Sequence, residues 1–280
     1  MNGLRYNIFK CHKKNILYAP ESILLKKNRI DRVSPQGFTF TMKTALITGG
    51  GARIGAEIVK TLHSNQFNVV IHFNKSRDPA QALCKELNNI RSDSAQTLQA
   101  NLASINEINQ LIETVENIDL LVNNASVFYP TPLDSCTTDD WDSIMNINVR
   151  APFILSKGLS KKLKDTQGCI VNIVDIHAER PLKNYAIYNI SKTGIKTLTK
   201  TLAKELAPDV RVCGISPGSI LWPEQKAELE PHKKQIMLER IALKKQGSPA
   251  DIAEAVLFLA NANYITGEVI NIDGGRSLHQ

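Results

Sequence analysis

No apolar run in this 280-residue chain approaches the roughly 20 residues that carry a helix across a bilayer, so no membrane segment is expected. Cysteine is sparse. Cys11, Cys84, Cys136, Cys169 and Cys213 are scattered, without the paired spacing of a metal site, so no metal is expected. Reduced thiols in a cytoplasmic protein are the expected state. Internal repeats and low-complexity tracts are absent too. A basic fold is the last thing missing, despite a net charge of +7. Residues 1–41 hold eight Lys/Arg and two acids, and the rest of the chain holds 26 basic and 25 acidic side chains. The excess charge belongs to a leader, which argues against a nucleic-acid partner for the fold. That leader lacks the unbroken apolar core of a secretory signal. It reads as a basic extension, either an organelle-targeting peptide or an over-long start, poorly ordered in either case. The second reading is preferred, because Met42 stands directly before the first strand.

From Met42 onward the apolar pattern alternates between two periods. Short strand-like runs fall at Ala45–Ile47, Val69–Phe73, Thr97–Ala100, Leu120–Asn123, Cys169–Val174, Val210–Ile215 and Val269–Ile272. Helical patterns follow Gly55 and recur near Pro79–Leu87, Ile105–Val115, Thr138–Leu163, Ala186–Leu206 and Pro249–Leu259. Strands alternating with helices imply right-handed crossovers and a parallel sheet covered on both faces. Seven strands in residues 42–280 make one α/β domain of the doubly wound, Rossmann type. Its ligands are expected at the carboxyl ends of the strands.

The stretch Lys43 to Gly55 sets the first of those ends. An apolar run stops in Gly49-Gly50-Gly51, and a helical pattern resumes with Ile54, Ile58 and Leu62. Strand, glycine turn and helix aim backbone N–H groups and a helix N-terminus at an anion. Taken alone, such a turn is as often only a tight corner. The second strand adds a discriminator. Where a ribose 2′-hydroxyl is bound, an acid usually follows this strand. Here the chain reads Asn74-Lys75-Ser76-Arg77, with no acid before Asp78. Lys75, Ser76 and Arg53 suit a 2′-phosphate, so NADP is the expected cofactor.

A second constellation lies further on. Tyr188 and Lys192 are four residues apart, on one face of a predicted helix, and the strand before them ends at Asp175. An ammonium beside a phenol favours the phenolate and lowers the tyrosine pKa, giving a proton donor and acceptor usable near neutrality.

Thr48-Gly49 with Gly55, Asn123-Asn124-Ala125, Tyr188 with Lys192, Pro217-Gly218 and Asp273-Gly274-Gly275 resemble the short-chain dehydrogenase/reductase family, in order and spacing, over Met42 to Gly275. The resemblance implies an NADP-binding reductase domain over 42–280. It implies cofactor contacts from Gly49, Arg53, Ile54, Gly55, Asn74, Lys75, Ser76, Asn101, Leu102, Asn124, Ala125, Ser126, Tyr188, Lys192, Pro217, Gly218 and Ser219. Asn148 falls where the family holds a proton-relay water, and family members are commonly tetramers.

Three departures narrow the resemblance. Arg53 replaces a glycine, Asp175 replaces the family's serine, and Ser126 ends Asn-Asn-Ala-Ser, followed by Val-Phe-Tyr-Pro. All three resemble the pteridine reductase branch. The implied substrate residues are Ser126, Phe128, Asp175, Tyr188 and Trp222, with Phe128 stacking on the flat ring of a pterin or folate. The implied reaction is NADPH-dependent reduction of a dihydropterin. Its competitors are a carbonyl reductase acting on 3-oxoacyl thioesters and a non-catalytic NADP sensor.

Overall fold

The computed structural model describes residues 31–33, 39–221 and 230–278, and it divides into two units. In the first, β1 (Asp31–Val33) pairs antiparallel with β2 (Thr39–Thr41). The remainder of the leader, residues 1–30 and 34–38, lies outside the described residues, as does Trp222.

The second unit is built on a seven-stranded sheet. Its strands are β3 (Thr44–Ile47), β4 (Asn68–Phe73), β5 (Ala95–Gln99), β6 (Leu120–Asn123), β7 (Cys169–Ile173), β8 (Arg211–Pro217) and β9 (Val269–Ile272). Their spatial order is β5-β4-β3-β6-β7-β8-β9, and every pairing is parallel. The order reverses between β3 and β6, so the crevice of this doubly wound sheet opens at their carboxyl ends.

Strand period two divides the core between two faces. Ala45 and Ile47 of β3, Val122 of β6 and Val171 of β7 pack with Ile58 and Leu62 of α1 (Arg53–Ser64), Leu83 of α2 (Arg77–Ile90) and Ile252, Val256 and Leu259 of α8 (Pro249–Asn261). Leu46, Leu121 and Ile170 alternate to the other face. There they meet Ile108 of α3 (Ile105–Thr114), Leu155 and Leu159 of α5 (Ala151–Asp165) and Leu202 of α6 (Ala186–Leu206). Each fully buried Leu or Ile contributes about 1.5–3 kcal/mol. One polar ladder crosses this second core: Asn123 Nδ2 donates to Asn172 Oδ1 at 2.8 Å, and Asn172 Nδ2 to Thr199 Oγ1 at 2.9 Å.

Two stretches differ from the sequence reading. The predicted helix Thr138–Leu163 is α4 (Thr138–Met145) and α5 joined by a π-helical turn, Asn146–Arg150. The described part of the segment between Pro217 and Gly247 contains α7 (Pro231–Glu239), which the sequence did not suggest because it carries no apolar stripe.

Candidate active site

The glycine turn is fixed by contacts that leave no room for side chains. Gly49 has φ +64°, in the left-handed region open to glycine. A Cβ on Gly55 would lie 2.1 Å from the Gly49 carbonyl oxygen, so the first turn of α1 packs directly on the turn. Thr48 Oγ1 accepts from the backbone N–H of Asn124 at 2.9 Å and of Ala125 at 3.0 Å, and Asn124 Nδ2 donates to the Thr48 carbonyl at 2.9 Å. The ends of β3 and β6 are thereby one rigid corner. Asn124 spends its amide protons on that corner, and its carboxamide oxygen is what it can offer a ligand.

His72 closes the corner from the other side. The Gly49 N–H donates to His72 Nδ1 at 3.1 Å, and His72 Nε2 faces the Ala100 carbonyl at 3.0 Å, which fixes the tautomer protonated at Nε2. Burial pushes its pKa down to about 4, with the Ala100 bond opposing, so the ring is neutral at pH 7. Sequence reasoning missed this residue. The signal was a lone imidazole inside the otherwise apolar run Val69–Phe73.

The start of α1 differs from the other helix starts near it. The α4 and α8 starts are closed by capping boxes, Thr137 with Asp140 and Ser248 with Asp251, and α3 is capped by Ser104. At α1 the N-cap is Ala52, no side chain caps it, and the first turn has no acid. Uncapped N–H groups over a glycine corner fit a dinucleotide pyrophosphate. Arg53 begins this helix with φ +53°, which explains why glycine is usual at that position. Lys75 and Ser76 are exposed after β4, and neither side chain is held by another described group. That arrangement fits a 2′-phosphate. Leu102 is buried in the core, and Asn101 Oδ1 accepts from the Ala103 N–H, so both can meet a cofactor chiefly through the backbone. Pro217 ends β8, and a Cβ on Gly218 would lie 2.6 Å from Asp273 Cβ, which brings the ends of β8 and β9 together. Ser219 continues this edge, its carbonyl accepting from the Gly247 N–H at 3.1 Å.

The reacting groups gather beyond β7. Tyr188 Oη donates to Asp175 Oδ2 at 2.7 Å, and Asp175 Oδ1 accepts from the His177 N–H at 2.9 Å, so the carboxylate is held at both oxygens. Buried Lys192 donates to the Ile173 carbonyl at 3.1 Å and sits 5.6 Å from the Tyr188 ring centre. Burial lowers its pKa to about 8, against the opposing pull of Asp175. The Tyr188 phenol departs from the expected direction. Burial first, then the charge and hydrogen bond of Asp175, hold it well above the ordinary tyrosine range. The charge in contact with the phenol is the Asp175 carboxylate and not the Lys192 ammonium, which donates to the Ile173 carbonyl. Tyr188 is therefore a protonated donor at pH 7.

Asn148 is buried in the π turn with its carboxamide fully used. Oδ1 accepts from the Val127 N–H at 2.9 Å and from Ser126 Oγ at 3.2 Å, while Nδ2 donates to the Val127 carbonyl and to Ser191 Oγ. A relay water there would need its backbone carbonyl. The side chain instead positions Ser126 and the chain leading to Phe128.

Phe128 is half exposed, which rules out plain core packing. One face stacks on Tyr185 with ring centres 4.6 Å apart and planes 14° apart, and Tyr188 meets it edge-on at 4.8 Å. Tyr185 also went unnoticed in the sequence, though it precedes Tyr188 by one helical turn. The loop carrying Phe128 is tied to that of Tyr185 by the Thr131 N–H donating to the Asn184 carbonyl at 2.6 Å.

A family model described as enoyl-(acyl carrier protein) reductase matches residues 51–277. Pteridine reductase 1 of Leishmania tarentolae is 30% identical over 285 residues, covering 85% of this chain and 97% of its own. The 3-oxoacyl-[acyl-carrier-protein] reductase FabG of Staphylococcus epidermidis is 34% identical over 241 residues, covering 83% and 98%. Among solved structures, a blue fluorescent protein from a metagenomic library, in complex with NADPH, superposes with a TM-score of 0.77 at 32% identity, covering 84% of this chain and 97% of that one.

Proposed function

The chain belongs to the short-chain dehydrogenase/reductase family, and within it we propose an NADPH-dependent pteridine reductase that converts a dihydropterin to its tetrahydro form. The observation that carries this reading is the 2.7 Å bond from Tyr188 to Asp175, at the position where the family keeps a serine. A serine hydroxyl donates to a carbonyl oxygen that is gaining charge. A carboxylate there would repel such an oxygen. It suits a ring nitrogen that gains a proton and keeps no negative charge.

NADPH, when bound, supplies the hydride for the ring carbon of a C=N bond. Gly49, Gly55 and the start of α1 would hold its pyrophosphate, and Lys75, Ser76 and Arg53 its 2′-phosphate. Tyr188 delivers the proton to the ring nitrogen. Asp175 accepts from that hydroxyl at rest and holds the phenol oxygen in place. The O–H turns from Asp175 to the ring nitrogen as it reacts, solvent returns the proton to the phenolate, and Lys192 offsets the charge of the carboxylate. The open face of Phe128 gives a flat bicyclic ring an aromatic wall, and Ser126 offers a hydroxyl at its edge. No helix among the described residues is long and apolar enough to cross a membrane, and action in the cytoplasm is part of this proposal.

Similarity to the 3-oxoacyl reductase FabG supports a rival reading, a ketoreductase of acyl thioesters. NADPH consumption with a panel of dihydropterins and a 3-oxoacyl ester separates the two. Turnover of the ester with none of any dihydropterin would sink the pterin reading.

A further inference from the structure

Three segments at the carboxyl side of the sheet each carry an arginine, and they are tied together. Arg180 follows Asp175 on the loop after β7. Its Nη1 donates to the Arg276 carbonyl at 3.2 Å and the Ser277 carbonyl at 2.9 Å, holding the segment that follows β9. The stretch after α7 meets that segment from another side. The Leu243 N–H donates to the Gly274 carbonyl at 3.0 Å, and a Cβ on Gly275 would lie 2.7 Å from Ala242 Cβ. Arg240, at the end of α7, is thereby brought beside Arg276. Burial and the like charges of Arg180 and Arg240 all weigh against the proton on Arg276, with Asp273 opposing.

No described carboxylate forms an ion pair with any of the three. Asp273 is occupied locally, accepting from the Gly275 N–H at 2.8 Å and the Ser277 N–H at 2.7 Å. Glu179, next to Arg180, is paired with Lys196. Gathering three guanidinium groups around the single carboxylate of Asp273, itself held by backbone N–H groups, costs stability, and an anion relieves that cost. The cluster also lies close to the reacting groups. Asp175 and Arg180 are five residues apart, so no more than about 18 Å separates them, and the 3-10 turn Ile176–Ala178 shortens this.

We propose that Arg180, Arg240 and Arg276 form an anion-binding rim that takes the carboxylate-bearing tail of a folate-type dihydropterin. This rests on the pterin reading and makes it narrower. Dihydrofolate is then favoured over a dihydropterin with an uncharged side chain, and the preference weakens as salt is raised. Arg240 and Arg276 are the residues to change, since Arg180 also holds the backbone after β9.

The test compares the wild type with the Arg240→Gln, Arg276→Gln double variant, using dihydrofolate and dihydrobiopterin at low and high salt. Calorimetry with 4-aminobenzoylglutamate, the isolated tail, gives a second readout that needs no turnover. The expected result is an about tenfold rise in the KM for dihydrofolate relative to that for dihydrobiopterin, with loss of tail binding in the variant. An unmoved KM ratio with unchanged tail binding would overturn the rim. So would a variant that only changes its elution on sizing, since the arginines would then serve an interface between copies. If neither pterin is turned over, the pterin reading fails by itself. Tail binding that is lost in the variant still supports the rim in that case, and no tail binding to the wild type refutes it.

Discussion

The hydroxyl of Tyr188 donates to Asp175 Oδ2 at 2.7 Å, while the nearest ammonium, that of Lys192, donates to the backbone carbonyl of Ile173. The tyrosine proton is thus held between a phenol and a carboxylate. Lys192 acts on it through space, in a site where little water screens the charge.

The pH profile should report this arrangement. If the Lys192 charge supports proton delivery, reductive kcat/KM falls above pH about 8, where burial has placed its pKa. Asp175 raises that pKa, so Asp175→Ser should move the alkaline limb to lower pH and cut pterin turnover by about 10²–10⁴-fold. A limb that stays in place in this variant would separate Lys192 from the chemistry.

Phe128 acts at a different step. Stacking exists in the ground state as well as the transition state, so Phe128→Ala should raise KM more than it lowers kcat. An aromatic contact is worth about 0.5–1.5 kcal/mol, or roughly twofold to tenfold. Tyr185→Ala should give a smaller change in the same direction, because it frees a ring that Tyr185 now clamps. Steady-state kinetics of both variants with one dihydropterin decide this.

Cofactor choice should follow the charge after β4. Lys75→Asp replaces attraction by repulsion, and losing one charge-assisted contact costs about 1.5–3 kcal/mol, or roughly tenfold to a hundredfold in NADPH affinity. Arg53→Gly adds a control. It removes a left-handed non-glycine residue whose conformation costs about 1–2 kcal/mol, so Tm should hold or rise while NADPH affinity falls. An unchanged NADPH/NADH ratio in the Lys75→Asp, Arg53→Ala double variant would refute the assignment.

Acid should loosen the glycine corner through His72. Its folded pKa of about 4 lies below the ordinary 6.5, so the unfolded chain binds more protons between those values. Stability is then fully present above pH 6.5 and is lost as pH falls toward 4, by about 3 kcal/mol in all. Thermal melts from pH 7 to 4.5 should show this slope. His72→Gln should lower Tm at neutral pH and flatten the slope.

Assembly is expected from the family resemblance. Between α5 and α6 lies a groove of about 520 Å³ lined by Met145, Val149, Phe153, Leu198 and Thr201, with Phe153 half exposed. Residues 42–280 should fold without the leader and elute larger than a monomer. A clean monomer on sizing would remove the prediction.

The five inner strands were legible because each is a short apolar run buried on both faces, whereas the edge strands β5 and β9 are only partly buried and were marked by their place in the alternation of strands and helices. Tyr188, Lys192 and Asp175 were legible because the elements that carry them are regular. The π turn at Asn146–Arg150 was not, since inserting one residue's worth of backbone leaves the apolar pattern of a long helix nearly intact. His72 and Tyr185 were missed for another reason. Their roles are contacts with segments distant in sequence or with an exposed ring, and neither leaves a periodic trace. The direction of the Tyr188 shift needed the carboxylate's distance, which spacing alone does not supply.

The ladder from Asn123 through Asn172 to Thr199 is buried, yet it sets where the acid stands. Asn123 and Asn172 are direct partners across β6 and β7. Sliding β7 by one residue would turn the Asn172 carboxamide to the other face and break the ladder, leaving Asn123 only its longer bond to Ser156 at 3.4 Å, at a cost of about 1–3 kcal/mol. The same slide would carry Asp175, three residues downstream, about 3.3 Å along the strand, further than its bond to Tyr188 is long. The ladder is a molecular ruler, and a substitution at Asn172 should blur catalysis before it unfolds the protein.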